Sequence, residues 1–297
     1  MPVTDMSEIR EFLVSRRARV TPERAGLPRY GRRRRVSGLR REEVALLADI
    51  SVEYYTRLER GNARGVSSEV LDSVSKALQL DEAEREHLFD LARAANLETA
   101  PRRNNRLERV RPNIRGIVDA MPSIPAFVTN GRLDIVFANP LAEALYLDAF
   151  RDPIQPPNSA RFLFLDPRAR PFYQDWKEVA HDLAAALHGE VGRNPFDRAL
   201  SDLIGLLSTR SEEFRTLWAG HDVRLHRSGI KRFHHPLVGD LVVAFESLDL
   251  PADPGLSLVT YMPRDDADRV ALERLAALST ARQKATSMAT AVTADPN

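Results

Sequence analysis

Four consecutive arginines, Arg32, Arg33, Arg34 and Arg35, are the densest run of a single chemistry in the chain, with Arg29, Arg40 and Arg41 nearby. Successive like charges repel, so this run belongs to an exposed loop or arm and not to a packed face. Two uses fit it: a solubilising stretch, or an arm that neutralises phosphates. The residues that follow favour the second. Histidine is the next candidate chemistry, because His221, His226, His234 and His235 fall close together. His234 and His235 are adjacent, and neighbours on a strand point to opposite faces, so the two do not share one ion. No metal and no other cofactor is expected. The chain has no Cys, which removes disulfides, thiolate metal sites and a Cys nucleophile. No GxGxxG, Walker A, GxSxG or HExxH pattern occurs, and an enzyme is not expected.

The elements that hold these residues divide the 297-residue chain in two. Hydrophobic residues at 43% and charged residues at 29% are ordinary globular proportions, and the length suits two domains better than one. Residues 1–80 carry 16 basic against 11 acidic side chains, while residues 111–297 carry 21 against 24. A basic N-terminal part on a neutral-to-acidic remainder suggests a nucleic-acid-binding module joined to something else. No run of eighteen apolar residues is present, and MPVTDMSEIREF has acids where a leader has its apolar stretch. A membrane span and a secretory signal are therefore not expected, and the chain is expected in the cytoplasm.

Residues 1–97 read as five helices. Ser7 to Arg19 has helical apolar spacing, and Val20 to Gly38 is broken by Pro and Gly. Arg41 to Ala48 puts Val44, Leu47 and Ala48 on one face. Val52 to Arg60 follows, with Ser51 as its N-cap and Gly61 as its stop. Helices over Glu69 to Leu80 and after Asp81 complete the set. The pair 41–48 and 52–60, joined by a short turn, has the form of a helix-turn-helix, whose second helix enters the major groove.

The stretch LRREEVALLADISVEYYTRLERG resembles the core of the XRE-type helix-turn-helix family, with Ala45, Ile50, Ser51, Leu58, Glu59 and Gly61 matching in order and spacing. The turn residue, usually Gly, is Asp49, one of the few other residues that tolerate positive φ. The resemblance implies that Val52, Glu53 and Arg57 read base edges, with Arg57 suited to guanine and Glu53 to a cytosine amino group. It implies that Ser51, Tyr54 and Thr56 reach phosphates, as do Arg40 and Arg41 at the start of the preceding helix, with the Arg32 to Arg35 arm beside them. Tyr55 and Leu58 are core, and Glu59 pairs with Arg16 or Arg17. The plainer alternative is a helical interaction module without DNA.

Residues 98–112 read as a linker, 113–278 as a second domain and 279–297 as a frayed, disordered tail. The second domain opens with a short helix and a hairpin turning at Asn130-Gly131. Asn139 caps a helix with Pro140 in its first turn. Arg161 to Leu165 is either a helical turn or a strand. Helices over 170–187, 194–207 and 211–219 follow, then strands over 223–226, 229–236, 240–248 and 256–262, and a helix over 267–277. An early hairpin, a block of helices and late antiparallel strands make an α+β fold. The segments AFVTNGRLDIVFANPLAEAL, FRTLWAGHDV and HHPLVGDLVV resemble the PAS-like ligand-binding domain of MmyB-like transcription regulators, and the paired resemblance covers about residues 5–277. It implies a DNA-binding regulator whose second domain senses a small apolar or fatty-acid-like ligand.

Phe127, Phe137, Tyr146, Phe162, Phe172, Trp176, Trp218 and Tyr261 are the large residues available to line a pocket, though plain core is the commoner use of any one of them. His221, Arg224, His235 and Arg115 are candidates for a ligand head group, with nothing to choose among them. The expected partners are double-stranded DNA, a small apolar ligand and a second copy of the chain, with no membrane. The alternative to ligand sensing is a second domain that recruits a protein partner.

Overall fold

The computed structural model describes residues 4–27, 36, 38–96, 110–223 and 227–293, with side chains from Glu8 to Ala281 within those ranges. Arg32 to Arg35, Arg224 and His226 lie outside the described residues, as does most of the linker. Two compact units are present. The first takes Met1–Arg103 with Ala184–Gly205 and Arg215–Leu225, and the second takes Asn104–Leu183, Leu206–Phe214 and His226–Asn297. The units thus depart from a division drawn along the chain, since two helical stretches from beyond the linker group with the N-terminal residues.

Five helices open the chain: α1 (Thr4–Arg19), α2 (Arg41–Leu47), α3 (Val52–Glu59), α4 (Ser68–Ala77) and α5 (Glu82–Ala95). Helix α1 begins at Thr4 and not at the expected Ser7. Local sequence explains the other boundaries. Ser51, Ser67 and Asp81 each accept a hydrogen bond from the backbone N–H three residues on, supplying caps to α3, α4 and α5. Gly61 ends α3 at φ +94°, a conformation that a Cβ resists. Apolar residues at helical spacing, among them Phe12, Leu13, Val44, Tyr55, Leu58 and Leu88, converge on one core and are fully buried. At Gly38 a Cβ would meet the carbonyl oxygen of Arg17 at 2.4 Å, so only glycine allows the chain to pass α1 this closely.

Beyond the linker come α6 (Pro112–Asp119), β1 (Ala126–Asn130), β2 (Ile135–Ala138), α7 (Pro140–Leu145), α8 (Leu147–Phe150), α9 (Ser159–Leu165), α10 (Ala169–Phe172), α11 (Trp176–Arg193), α12 (Arg198–Arg210), α13 (Glu212–Trp218), β3 (Ser228–His235), β4 (Gly239–Asp249), β5 (Leu256–Pro263) and α14 (Asp266–Thr293). The five strands form one antiparallel sheet in the order β2-β1-β5-β4-β3. The Arg161 region is helical, which settles the open choice there. The strand expected over 223–226 falls mainly outside the described residues, and Val223 itself is not in a strand. Helix α14 continues to Thr293, so the backbone of 279–293 is helical where a frayed tail is expected from its small polar residues.

Asn139 joins β2 to α7. Its side-chain oxygen accepts from Ala142 N at 2.9 Å, as an N-cap, and from Ala126 N at 3.2 Å. Its amide donates to the carbonyls of Met121 and Ile124, both at 2.8 Å. A buried amide is satisfied by four partners here, which fixes the start of α7 against the edge of β1.

Candidate functional site

Helices α2 and α3 are joined by Ala48-Asp49-Ile50-Ser51. Asp49 takes the left-handed conformation at φ +54°, as the turn demands of a residue standing where glycine is usual. The Ser51 hydroxyl accepts from Tyr54 N at 3.0 Å, so this side chain caps α3 before it can do anything else. Tyr55, Leu58 and Glu59 point inward. Glu59 is buried and held by two arginines. Arg17 grips it with two parallel bonds of 3.0 Å, and Arg41 reaches its Oε1 at 3.1 and 3.2 Å. Of the two first-helix candidates for this pairing, Arg17 is the partner. Arg16 pairs with Glu84 at 2.8 Å instead. A planar guanidinium matched to a carboxylate by two bonds fixes angle as well as distance. The opposite side of α3 therefore faces out in one defined orientation.

That outward side carries Val52, Glu53, Thr56 and Arg57. With Arg60 and Asn62 they line an open surface concavity of ≈ 440 Å³. Val52, Glu53 and Arg57 are exposed, while Thr56 and Tyr54 are half-buried. The Arg57 guanidinium lies 4.7 Å from the centroid of the Tyr54 ring. Arg40 is exposed and stands 3.6 Å from Glu42. Arg41 is also exposed, with its head turned to Glu59. Arg60 and Asn62 are not among the site residues that the sequence suggests. Arg60 lies seven residues beyond Glu53 and three beyond Arg57, so helical spacing alone puts it on the same face.

In the second unit the strand register sorts the candidate pocket residues. Phe127 pairs with Val259, and Phe245 with Tyr261, while Val128 pairs with Phe137. Phe127 and Phe137 therefore point to opposite faces of the sheet. Phe137 packs with Val110, Ile114, Val118 and Met121 on the side covered by α6. On the other side the rings form a continuous cluster. Phe127 contacts Tyr146 and Tyr261 at 6.0 and 5.6 Å between centroids, Phe172 contacts Phe162 at 5.8 Å and Phe233 at 5.0 Å, and the Tyr146 and Tyr261 hydroxyls share a hydrogen bond of 2.6 Å. Trp176 packs apart from these, against Phe164 and under Arg170. Trp218 and His221 belong to the first unit and not to this cluster.

His235 is buried at the edge of the ring cluster. One ring nitrogen lies 3.3 Å from the Ala144 carbonyl, and the other accepts from Leu237 N at 3.2 Å. His234 is exposed on the opposite strand face, paired with Asp240 at 2.7 Å. Arg115 is exposed, over the Phe137 ring at 4.9 Å. A residue absent from the sequence candidates stands among the rings: Lys231. Its ammonium faces Phe245 at 5.0 Å and Tyr261 at 5.7 Å, and burial lowers its pKa to about 8, with Asp182 offsetting this only in part. Strand alternation was the available signal, since Lys231 shares its face with Phe233 and His235, both buried.

A family model described as the MmyB-like transcription regulator ligand binding domain matches residues 110–275, and a helix-turn-helix domain model matches residues 16–88. The chain belongs to the MmyB-like transcription regulators. No curated protein matches it closely. A helix-turn-helix domain followed by an MmyB-like ligand-binding domain makes the chain a DNA-binding transcription regulator. Among the described residues, no helix is long and apolar enough to cross a membrane.

Proposed function

We propose that this MmyB-like regulator reads an operator through the outward side of α3 and that a small apolar, fatty-acid-like molecule held by the second unit alters that reading. The observation that carries the first half is the concavity shared by Val52, Glu53, Thr56, Arg57, Arg60 and Asn62. It offers a guanidinium fork for guanine, a carboxylate for a cytosine amino group and a methyl surface for thymine, all on one helix. Arg40, Arg41, Ser51, Tyr54, Thr56 and the Arg32 to Arg35 arm supply the phosphate contacts in this reading. Affinity comes from a homodimer on two half-sites about 34 Å apart or a multiple of that.

The second half is supported by the ring cluster over the sheet and by Lys231 within it. Rings accept an acyl chain, and a buried ammonium accepts the carboxylate at its end. A ligand switches the protein only if it binds the DNA-competent and DNA-incompetent arrangements with different affinity. The test has two arms. Selection of binding sequences from a random duplex pool gives an operator. Solvent extraction of the denatured protein, followed by mass spectrometry, gives any bound molecule. A stoichiometric acyl compound that shifts operator affinity supports the sensor. A ligand-free extract, together with operator binding indifferent to fatty acids, replaces it with a domain that recruits a protein partner.

A further inference from the structure

We propose that Glu8, His188 and His221 form a binding site for a divalent first-row transition cation, Zn²⁺ foremost. Glu8 lies on α1, His188 on α11 and His221 in the turn that follows α13. All three belong to the first compact unit, and one ligand atom from each lies within 4.8 Å of the others. Two imidazoles and a carboxylate are the donor set of a three-ligand zinc site, where bonds of about 2.0–2.2 Å converge on one ion. Imidazole donors favour zinc, copper, nickel and cobalt over magnesium and calcium, which prefer oxygen throughout.

The surroundings are those of a ligand set already oriented. His188 is buried, stacked on the Trp218 ring at 3.6 Å with the planes 10° apart, and its Nε2 lies 2.8 Å from the Trp218 carbonyl. An N–H donated to a carbonyl fixes the tautomer and leaves the other ring nitrogen with its lone pair, the arrangement that metal-bound histidines show. The His221 ring lies 5.2 Å from that of His188. His221 takes the left-handed conformation at φ +49°, and its carbonyl accepts from the buried Arg16. Glu11, one turn along α1 from Glu8, stands 3.4 Å from His221 Nε2 and adds negative charge beside the three ligands. Arg16 is the cation nearby, and the carboxylates of Glu84 and Asp222 offset its charge.

Sequence spacing hides this site. The histidines that cluster in the sequence, at 221, 226, 234 and 235, contribute one ligand, and the other two come from positions far away in the chain. The site does not depend on the identity of any operator or apolar ligand. It ties α1 to α11 and to the turn after α13, so an ion there braces the unit that carries α3.

The test is a titration of the tag-free, full-length chain, stripped with chelator, using Co²⁺ followed by visible absorption and then Zn²⁺ as competitor. One equivalent of Co²⁺ with the intense bands of four-coordinate cobalt, displaced by Zn²⁺, is the expected result. His221→Asn and Glu8→Gln each lower Co²⁺ affinity by about tenfold or more. Asn tolerates the His221 backbone conformation and Gln matches Glu in shape, so circular dichroism of both variants stays that of the parent. His188 is left intact because its stacking on Trp218 also supports the fold. No saturable Co²⁺ uptake by the parent chain overturns the site. So does uptake that the double variant His221→Asn/Glu8→Gln leaves unchanged, which places the ion elsewhere.

Discussion

The guanidinium of Arg57 rests on the ring of Tyr54, 4.7 Å from its centroid, on the exposed side of α3. This stacking restricts a long side chain that would otherwise lose rotamer freedom on meeting a base. Arg57→Lys keeps the charge and gives up both the planar fork and most of the stacking. It is expected to reduce preference for the selected operator over random DNA by about 1–3 kcal/mol while leaving non-specific binding near the parent level. Fluorescence anisotropy on matched operator and scrambled duplexes measures both. Equal losses on the two duplexes remove Arg57 from the base-reading role.

The Arg32 to Arg35 arm makes a different prediction. Replacing all four by Ala lowers affinity for every duplex and flattens the dependence of log K on log salt, because fewer counterions are released. The salt slope is read from the same anisotropy titrations. An unchanged slope means that the arm does not touch DNA.

Glu59 is the point at which α1, α2 and α3 are pinned. It is 1% exposed and serves both Arg17 and Arg41. Glu59→Gln leaves Arg17, itself only 15% exposed at the side chain, facing a neutral amide that cannot accept two charged bonds. Breaking a buried pair from one side costs about 3–5 kcal/mol. Arg41, half-exposed, adds little of this. Urea denaturation of the variant is expected to show a lower midpoint with an unchanged slope. A midpoint at the parent value would mean that the pair does not stabilise the fold.

Asp49 gives the opposite sign. A non-glycine residue at φ +54° costs about 1–2 kcal/mol relative to glycine, less for Asp than for most. Asp49→Gly is expected to raise the urea midpoint slightly, and Asp49→Ala to lower it. If both lower it, the Asp49 side chain contributes more than its backbone strain removes.

The helix-turn-helix was legible because its signals are local. Ser51, Asp49 and Gly61 act on their own neighbours within one turn, and Tyr55 and Leu58 follow helical period. The sheet strands were legible by alternation, down to the opposite faces of His234 and His235. Burial partners across the chain were not. Phe137 looked like a companion of Phe127 until the register of β1 and β2 put them on opposite faces, and Trp218 looked like one until it grouped with the first unit. Lys231 gives no comparable signal, because a charged residue in a strand reads as solvent-facing unless the phase of alternation is followed strictly. The helical backbone past residue 279 has no apolar stripe to announce it.

That buried lysine carries the last prediction. Burial among Phe245 and Tyr261 lowers its pKa from 10.5 to about 8, with Asp182 the acid that resists the shift. Between about pH 8 and 10.5 the unfolded chain holds a proton on Lys231 that the folded chain has released. The unfolded state therefore binds more protons, and stability rises with pH across that window. Below about pH 8 the folded protein bears a buried charge at a cost on the order of 3 kcal/mol. Lys231→Met removes the charge and keeps most of the volume, so the variant is expected to be more stable than the parent at about pH 7, with the difference shrinking toward about pH 10. Thermal denaturation of both proteins across this range provides the comparison. A parent that does not gain on the variant as pH rises would show that the ammonium is solvated or paired in the folded state. The same variant separates structure from sensing: a protein that gains stability yet loses a bound carboxylate has Lys231 as the anchor of the ligand's head group.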